Sequence, residues 1–276
     1  MGQTRRHFSH KENDVDSSAL TAEFFAELRA ARRTEDSIPA ELRPQDMVSA
    51  YAIQDTLVAR LLARHGGHAI GYKIACTNPS AQRLLNTHAP VYGRLLSAFV
   101  YPSPARQRAS DFTIRCIEAE FAFEIARDIP IAHVPYTAGT IAAYVGAALP
   151  AIEIVDHRLA DWSRFDAFSL IADNAIHGAW IPGAASDAWH TLDLATHTVR
   201  LLVNHAVART GRGDAVLGHP LQALAWLANE LSQQGRALQA GEFVTTGVCT
   251  DIYLAQAGDV IQADFGALGS VELVFD

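Results

Sequence analysis

Ile117-Glu118-Ala119-Glu120-Phe121-Ala122-Phe123 decides how this chain is read, together with Ala151-Ile152-Glu153-Ile154-Val155 further on. In a strand, alternate side chains share a face, so Glu118 and Glu120 project together while Ile117, Ala119 and Phe121 project the other way. A third carboxylate, Glu153, sits in an equally apolar run. Carboxylates in core-like strands are costly to bury unless positive charge lies among them. A hard divalent cation, Mg²⁺ or Mn²⁺, suits three such oxygens and leaves positions for water or substrate. The competing reading is the solvent face of a half-exposed sheet, where Glu at i and i+2 is ordinary. On these strands alone both readings stand.

The chain has 276 residues, 49% hydrophobic and 19% charged, enough for one large domain with a packed core. A net charge of −8 argues against a broad nucleic-acid-binding surface. An anionic substrate would then need a metal or a placed Lys or Arg. Three scattered cysteines, Cys76, Cys116 and Cys249, form no CxxC pair and fit reduced thiols in a cytoplasmic protein. No apolar run follows Arg5-Arg6, so no secretory signal is expected. No stretch reaches membrane-spanning length, so no membrane partner is expected.

Residues 1–16 read as a flexible tail, 17–67 as an N-terminal helical region and 68–276 as a β-rich catalytic domain. Ser17-Ser18 is expected to cap a helix over 19–34. A second helix over 45–65 ends at Gly66-Gly67. Strands are expected at 69–75, 114–127 and 151–157. The Ala-rich stretch 137–149 reads as a helix closed by Pro150. Residues 162–173 carry no decisive pattern. A helix opens at His219-Pro220 and runs to about Gln234, before strands at 243–249, 252–256, 259–265 and 270–275. The fold class is α+β.

Several motifs carry a resemblance. They are Ala50-Tyr51-Ala52-Ile53-Gln54, Gly71-Tyr72-Lys73-Ile74, Ile117-Glu118-Ala119-Glu120, and Pro150-Ala151-Ile152-Glu153-Ile154-Val155-Asp156. Ala172-Asp173-Asn174-Ala175, Gly211-Arg212-Gly213, Leu217-Gly218-His219-Pro220 and Thr246-Gly247 follow. In this order they resemble the 2-keto-4-pentenoate hydratase and 4-oxalocrotonate decarboxylase group of the fumarylacetoacetate hydrolase superfamily. The resemblance implies a mixed-β roll preceded by helices, assembled as a homo-oligomer. It also implies a small 2-oxo or 2-hydroxydienoate acid as substrate. Glu118, Glu120 and Glu153 correspond to the family's metal carboxylates and Lys73 to its active-site lysine.

Such an acid can chelate one Mg²⁺ or Mn²⁺ through its carboxylate and C2 oxygen, and the metal stabilises an enolate. The leading activity is hydration of 2-hydroxypenta-2,4-dienoate to 4-hydroxy-2-oxopentanoate. The rivals are decarboxylation of 2-oxo-3-hexenedioate, hydrolysis of an acylpyruvate, and metal binding without catalysis. Lys73 is the candidate for proton transfer, with a pKa lowered by the metal; otherwise it is a strand-edge surface lysine. Two departures from the group stand out. Val91 replaces an acidic residue, and Ile176 replaces a small hydroxyl residue ahead of His177. His177 either takes over a catalytic proton transfer or fills a buried polar niche. Arg115 is a surface residue or an anion contact, Asp173-Asn174 a support for the site or a polar turn. Gly211-Arg212-Gly213 is read as a tight turn and His219 as a helix cap.

Overall fold

The structure, a computed structural model, describes residues 10–161 and 166–276. Residues 1–9 of the expected 1–16 tail and residues 162–165 of the undecided stretch lie outside the described residues, while 10–16 begin the first helix. The chain opens with two helices, α1 (His10–Ala31) and α2 (Met47–His65), followed by β1 (Ala69–Ala75), α3 (Pro79–Leu84), β2 (Val91–Leu96) and β3 (Ala105–Gln107). Next come β4 (Cys116–Ile125), α4 (Ala138–Ile141), β5 (Val145–Val155), α5 (Ala167–Ala172) and β6 (His177–Pro182). The last third contributes β7 (Thr198–Val203), β8 (Ala206–Arg212), α6 (Pro220–Gln233), β9 (Phe243–Val248), β10 (Tyr253–Leu254), β11 (Val260–Asp264) and β12 (Ser270–Phe275).

Two sheets form. The larger runs β2-β1-β9-β4-β5-β6, with β10 also paired to β4; the smaller runs β3-β12-β11-β7-β8. Parallel β1–β9 and β3–β12 pairs among antiparallel ones make both sheets mixed. Strand β4 shows the expected alternation. Ile117, Ala119, Phe121, Phe123 and Ile125 are all buried in a core shared with α6 and the smaller sheet. The opposite face of the larger sheet holds the carboxylates and a small Leu95–Ala122–Leu149–Trp180 cluster. A third cluster joins α1, α2 and α5 to Cys76, Val91, Cys116 and Val155 at the edge of that face. The helical region therefore packs beside the carboxylates.

Two expectations change. Helix α1 begins at His10, ahead of Ser17-Ser18, so these serines lie inside it; Thr21 Oγ1 donates to Ser17 O at 2.9 Å. Helix α2 has a built cap, Asp46 Oδ1 accepting from Ser49 N at 2.8 Å. Residues 145–149 form strand rather than helix, because tertiary pairing overrides the helix preference of alanine. Phe123 pairs with Ala148 and Glu124 with Ala147. Pro150 has no N–H to give the ladder; its carbonyl accepts from Gly183 N at 2.8 Å, just past the end of β6, so the bond it cannot donate falls where that strand ends. Among the described residues no helix is long and apolar enough to cross a membrane.

Candidate metal centre and active site

Strands β4 and β5 pair so that Glu118 faces Glu153 directly. Glu120 lies two residues along the same face, and the three carboxylates offer oxygens all within 4.8 Å of one another. Glu120 and Glu153 are fully buried; Glu118 is partly exposed and faces a cavity. Lys73 enters from β1, with Nζ 3.2 Å from Glu153 Oε1 and donating to Ala175 O at 2.9 Å. Strand β9 holds Glu120 from behind: Thr245 Oγ1 and Gly247 N both donate to its Oε2, the latter at 2.9 Å. Gly247 has φ +101°, and a Cβ there would collide with the Thr77 side chain.

A metal fits this donor set. Glu120 Oε1 and Glu153 Oε2 are buried without a hydrogen-bond partner, a costly state for a carboxylate. Octahedral oxygens about 2.1 Å from Mg²⁺ lie roughly 3–4 Å apart, within the spread seen here. Charge balance agrees. Burial pushes the Glu120 carboxyl well above its ordinary range, with Glu153 and Glu118 adding to the effect. Burial also raises Glu118, against the opposing pull of Lys73. Burial works against the charge on Glu153 as well, but Lys73 and His177 outweigh it and hold its pKa low. Without a cation, the cluster therefore keeps protons that a divalent ion displaces. Mg²⁺ or Mn²⁺ is accordingly expected to raise Tm, and by more at pH 8 than at pH 5. Thermal unfolding checks this; equal shifts at both pH values would show that no proton is displaced.

Lys73 is buried rather than a strand-edge surface lysine. Burial opposes its charge, but Glu153, Glu118 and Glu120 raise its pKa above the ordinary lysine value. Among these carboxylates it is an ammonium, and only a neighbouring cation would push it down. His177 is buried and lies behind Glu153, with Nδ1 2.9 Å from Oε1. Glu153 only accepts, so Nδ1–H donates. Burial lowers the pKa of the ring.

The turn before His177 is unusual. Asn174, Ala175 and Ile176 have φ of 53°, 49° and 53°. Left-handed backbone costs a non-glycine residue about 1–2 kcal/mol, so the surroundings must enforce it. Gly93 allows the turn to approach: a Cβ there would lie 2.5 Å from Asn174 O. Asn174 Oδ1 accepts from Arg94 N at 2.7 Å and its Nδ2 donates to Arg94 O at 2.9 Å.

Two arginines absent from the sequence reading hold Asp173. Arg29 Nε donates to Oδ1 at 2.9 Å and Arg158 Nε to Oδ2 at 2.7 Å. Arg158 Nη1 also donates to Asp156 Oδ2 at 2.9 Å. Asp173-Asn174 thus supports the site. The remaining candidates lie elsewhere. Arg115 ties loops together through Ala255 O and Ala109 O, and Arg212 pairs with Asp214 at the surface. His219 caps α6, accepting from Leu221 N at 3.0 Å. The three cysteines are free and buried.

The cavity in front of the carboxylates measures about 280 Å³. Lys73 and Glu118 stand at its inner end, and much of its wall is apolar: Leu85, Ile114, Val155, Leu170, Ile176 and Ile252. Cys76 and Cys116 also line it, and Asp251 and His157 are its other ionisable groups. Burial lowers the His157 pKa, keeping that ring neutral. Among the described residues, Lys73 is thus the one cationic side chain lining the cavity.

Paired mixed sheets carrying a three-carboxylate cluster define the class. Residues 75–275 match the fumarylacetoacetate (FAA) hydrolase C-terminal family, and the chain belongs to that family. It is similar to a 2-keto-4-pentenoate hydratase of Paraburkholderia phymatum, 33% identical over 272 residues, which cover 96% of this chain and 98% of the relative. It is also similar to a 4-oxalocrotonate decarboxylase of Pseudomonas putida, 33% identical over 226 residues, covering 82% and 84%. Among solved structures, the 4-oxalocrotonate decarboxylase of Pseudomonas putida G7 complexed with magnesium and adipate superposes with a TM-score of 0.87. It has 28% identity and full coverage of both chains.

Proposed function

We propose that this protein is a divalent-metal-dependent hydro-lyase that hydrates 2-hydroxypenta-2,4-dienoate to 4-hydroxy-2-oxopentanoate, using Mg²⁺ or Mn²⁺ held by Glu118, Glu120 and Glu153. One observation carries the choice of substrate: the cavity is charged at its inner end and apolar along much of its wall. That suits a monoacid with a hydrocarbon chain. Bound there, the cation supplies Lewis acidity to a chelating 2-oxo acid and offsets the charge of the three carboxylates.

The chain's own residues do the rest. Thr245 and Gly247 fix Glu120, and His177 fixes Glu153. The Lys73 ammonium, held by Ala175 O and Glu153, is the nearest proton source for a substrate at the inner end. In the hydratase reaction the dienol takes a proton at C5 and water then adds at C4. Lys73 is assigned to holding and moving that proton, His177 to positioning Glu153. The apolar wall excludes bulk water from the chain of the substrate. A cytoplasmic location and a homo-oligomer complete this reading.

The second reading, decarboxylation of 2-oxo-3-hexenedioate, is favoured by the 28%-identical decarboxylase that holds adipate. A second carboxylate in this cavity, however, would meet Asp251 and apolar side chains alongside Thr77, Asn78, Ser80 and Thr250, with no cation besides Lys73 among the described lining residues. Proton NMR of the two substrates, run side by side with Mg²⁺, tests the choice. A 4-hydroxy-2-oxopentanoate signal from the dienoate is expected. Carbon dioxide release from the diacid, with the dienoate untouched, would overturn the hydratase assignment.

A further inference from the structure

We infer that Arg29, on the N-terminal helix, is a positioning residue for the active site: it clamps both ends of the left-handed turn that holds Lys73 and Glu153 in place. Arg29 and Asp173 are 144 positions apart in sequence. The Arg29 side chain is 11% exposed, and its guanidinium donates along three directions. Nε reaches Asp173 Oδ1 at 2.9 Å, Nη2 reaches Asp173 O at 2.7 Å, and Nη1 reaches His177 O at 2.8 Å. One planar fork therefore grips the first and last residues of the five-residue segment 173–177. A rigid guanidinium suits this task, because its donors are set at fixed angles.

The clamped segment makes two contacts with the carboxylate site. Ala175 O accepts from Lys73 Nζ, and His177 Nδ1 donates to Glu153 Oε1. Between the clamped ends lie the three left-handed residues, a conformation that the chain would leave if its ends were released. Relaxation of the turn would move the carbonyl from Lys73 and the ring from Glu153 together. Partners that orient ligating groups in this way commonly change metal affinity or activity 10- to 100-fold when removed.

Arg158 separates this role from mere charge balance. It pairs with the other oxygen of Asp173 and with Asp156. Loss of Arg29 therefore leaves Asp173 with a cation while freeing Asp173 O and His177 O. Through this side chain the N-terminal helix reaches the segment that contacts Lys73 and Glu153.

This inference rests on the metal-site reading, and its test reads both metal binding and turnover. Full-length Arg29→Ala and Arg29→Lys are compared with wild type by Mn²⁺ titration under electron paramagnetic resonance and by hydration of the dienoate. Arg29→Ala is expected to weaken Mn²⁺ binding or lower kcat about 10- to 100-fold, with KM changed less than about threefold. Methylguanidine is expected to restore part of the loss at temperatures well below Tm, which a general loss of stability would not allow. Arg29→Lys supplies a point charge without the fork and is expected to keep most of the defect; it is the variant to read if Arg29→Ala does not fold. Mn²⁺ affinity and kcat both within about twofold of wild type would overturn the inference, whatever happens to Tm. So would a defect that methylguanidine leaves untouched and Arg29→Lys repairs. Wild-type protein that binds Mn²⁺ but hydrates no dienoate would count against the proposed activity, and the Mn²⁺ comparison would still decide the role of Arg29.

Discussion

Glu120→Gln is expected to make the metal-free protein more stable and to abolish turnover. Burial, with Glu153 and Glu118 adding to it, holds the pKa of the Glu120 carboxyl well above the 4.5 of an ordinary glutamate. At pH 8 the unfolded chain has released that proton, whereas the folded chain must retain it or carry a buried charge. Folding is therefore opposed at pH 8, and the penalty fades as pH falls toward 4.5, where both states are protonated. Glutamine removes the titration. Its carbonyl oxygen still accepts from Thr245 Oγ1 and Gly247 N, the two donors that hold Oε2. A gain of about 1–2 kcal/mol is expected at pH 8, or roughly 2–6 °C in Tm for a chain of this size. The same change puts an amide where a metal needs an anionic oxygen. Mn²⁺ affinity is expected to fall at least about 100-fold, and kcat/KM at least about 10³-fold. Thermal unfolding at pH 5 and pH 8 and a metal titration measure the two halves separately. A fall in metal-free Tm at pH 8, or Mn²⁺ affinity within threefold of wild type, would contradict the account.

Lys73→Met should separate charge from chemistry. Methionine fills much of the same space but brings no cation, leaving the three carboxylates without their ammonium partner. Breaking a buried pair by removing one member costs about 3–5 kcal/mol, so the metal-free protein is expected to lose that order of stability at neutral pH. Saturating Mg²⁺ should recover much of the loss, because the ion replaces the missing positive charge. Turnover should not recover, since no other cationic side chain lines the cavity among the described residues. A residual rate below about one part in 10³ of wild type is expected with metal present. A rate within tenfold of wild type would show that Lys73 does not move the proton.

Much of the site was legible because its signals are local. Glu118 and Glu120 alternate with core residues on one strand, and Glu153 interrupts an equally apolar one. The resemblance supplied Lys73 and the metal assignment. His177 was also singled out, though the structure sets it behind Glu153 rather than on the cavity wall. The parts that escaped depend on distance along the chain. Arg29 looks like any polar residue near a helix end, and nothing within α1 points to Asp173, 144 positions away. Arg158 and Asp156 likewise gain meaning only once β5 and the 173–177 turn are folded together. In the fold, α2, α6 and most strands followed from periodicity, whereas α5 fell in the undecided stretch 162–173. Residues 145–149 did not, because Ala147, Ala148 and Leu149 favour a helix locally and their strand partner, β4, lies elsewhere in the sequence. The left-handed turn was equally hidden: Asn174 tolerates such backbone, but Ala175 and Ile176 give no hint of it.

The most direct test is electron paramagnetic resonance of one Mn²⁺ per chain in the presence of a 2-oxo acid labelled with ¹⁷O at its carboxylate and keto oxygens. If Glu118, Glu120 and Glu153 hold the ion in front of the cavity, the labelled acid will broaden the Mn²⁺ lines in wild type and not in Glu120→Gln. Tight Mn²⁺ binding with no broadening by the labelled acid, or broadening that survives in Glu120→Gln, would contradict the placement of metal and substrate together at this cluster.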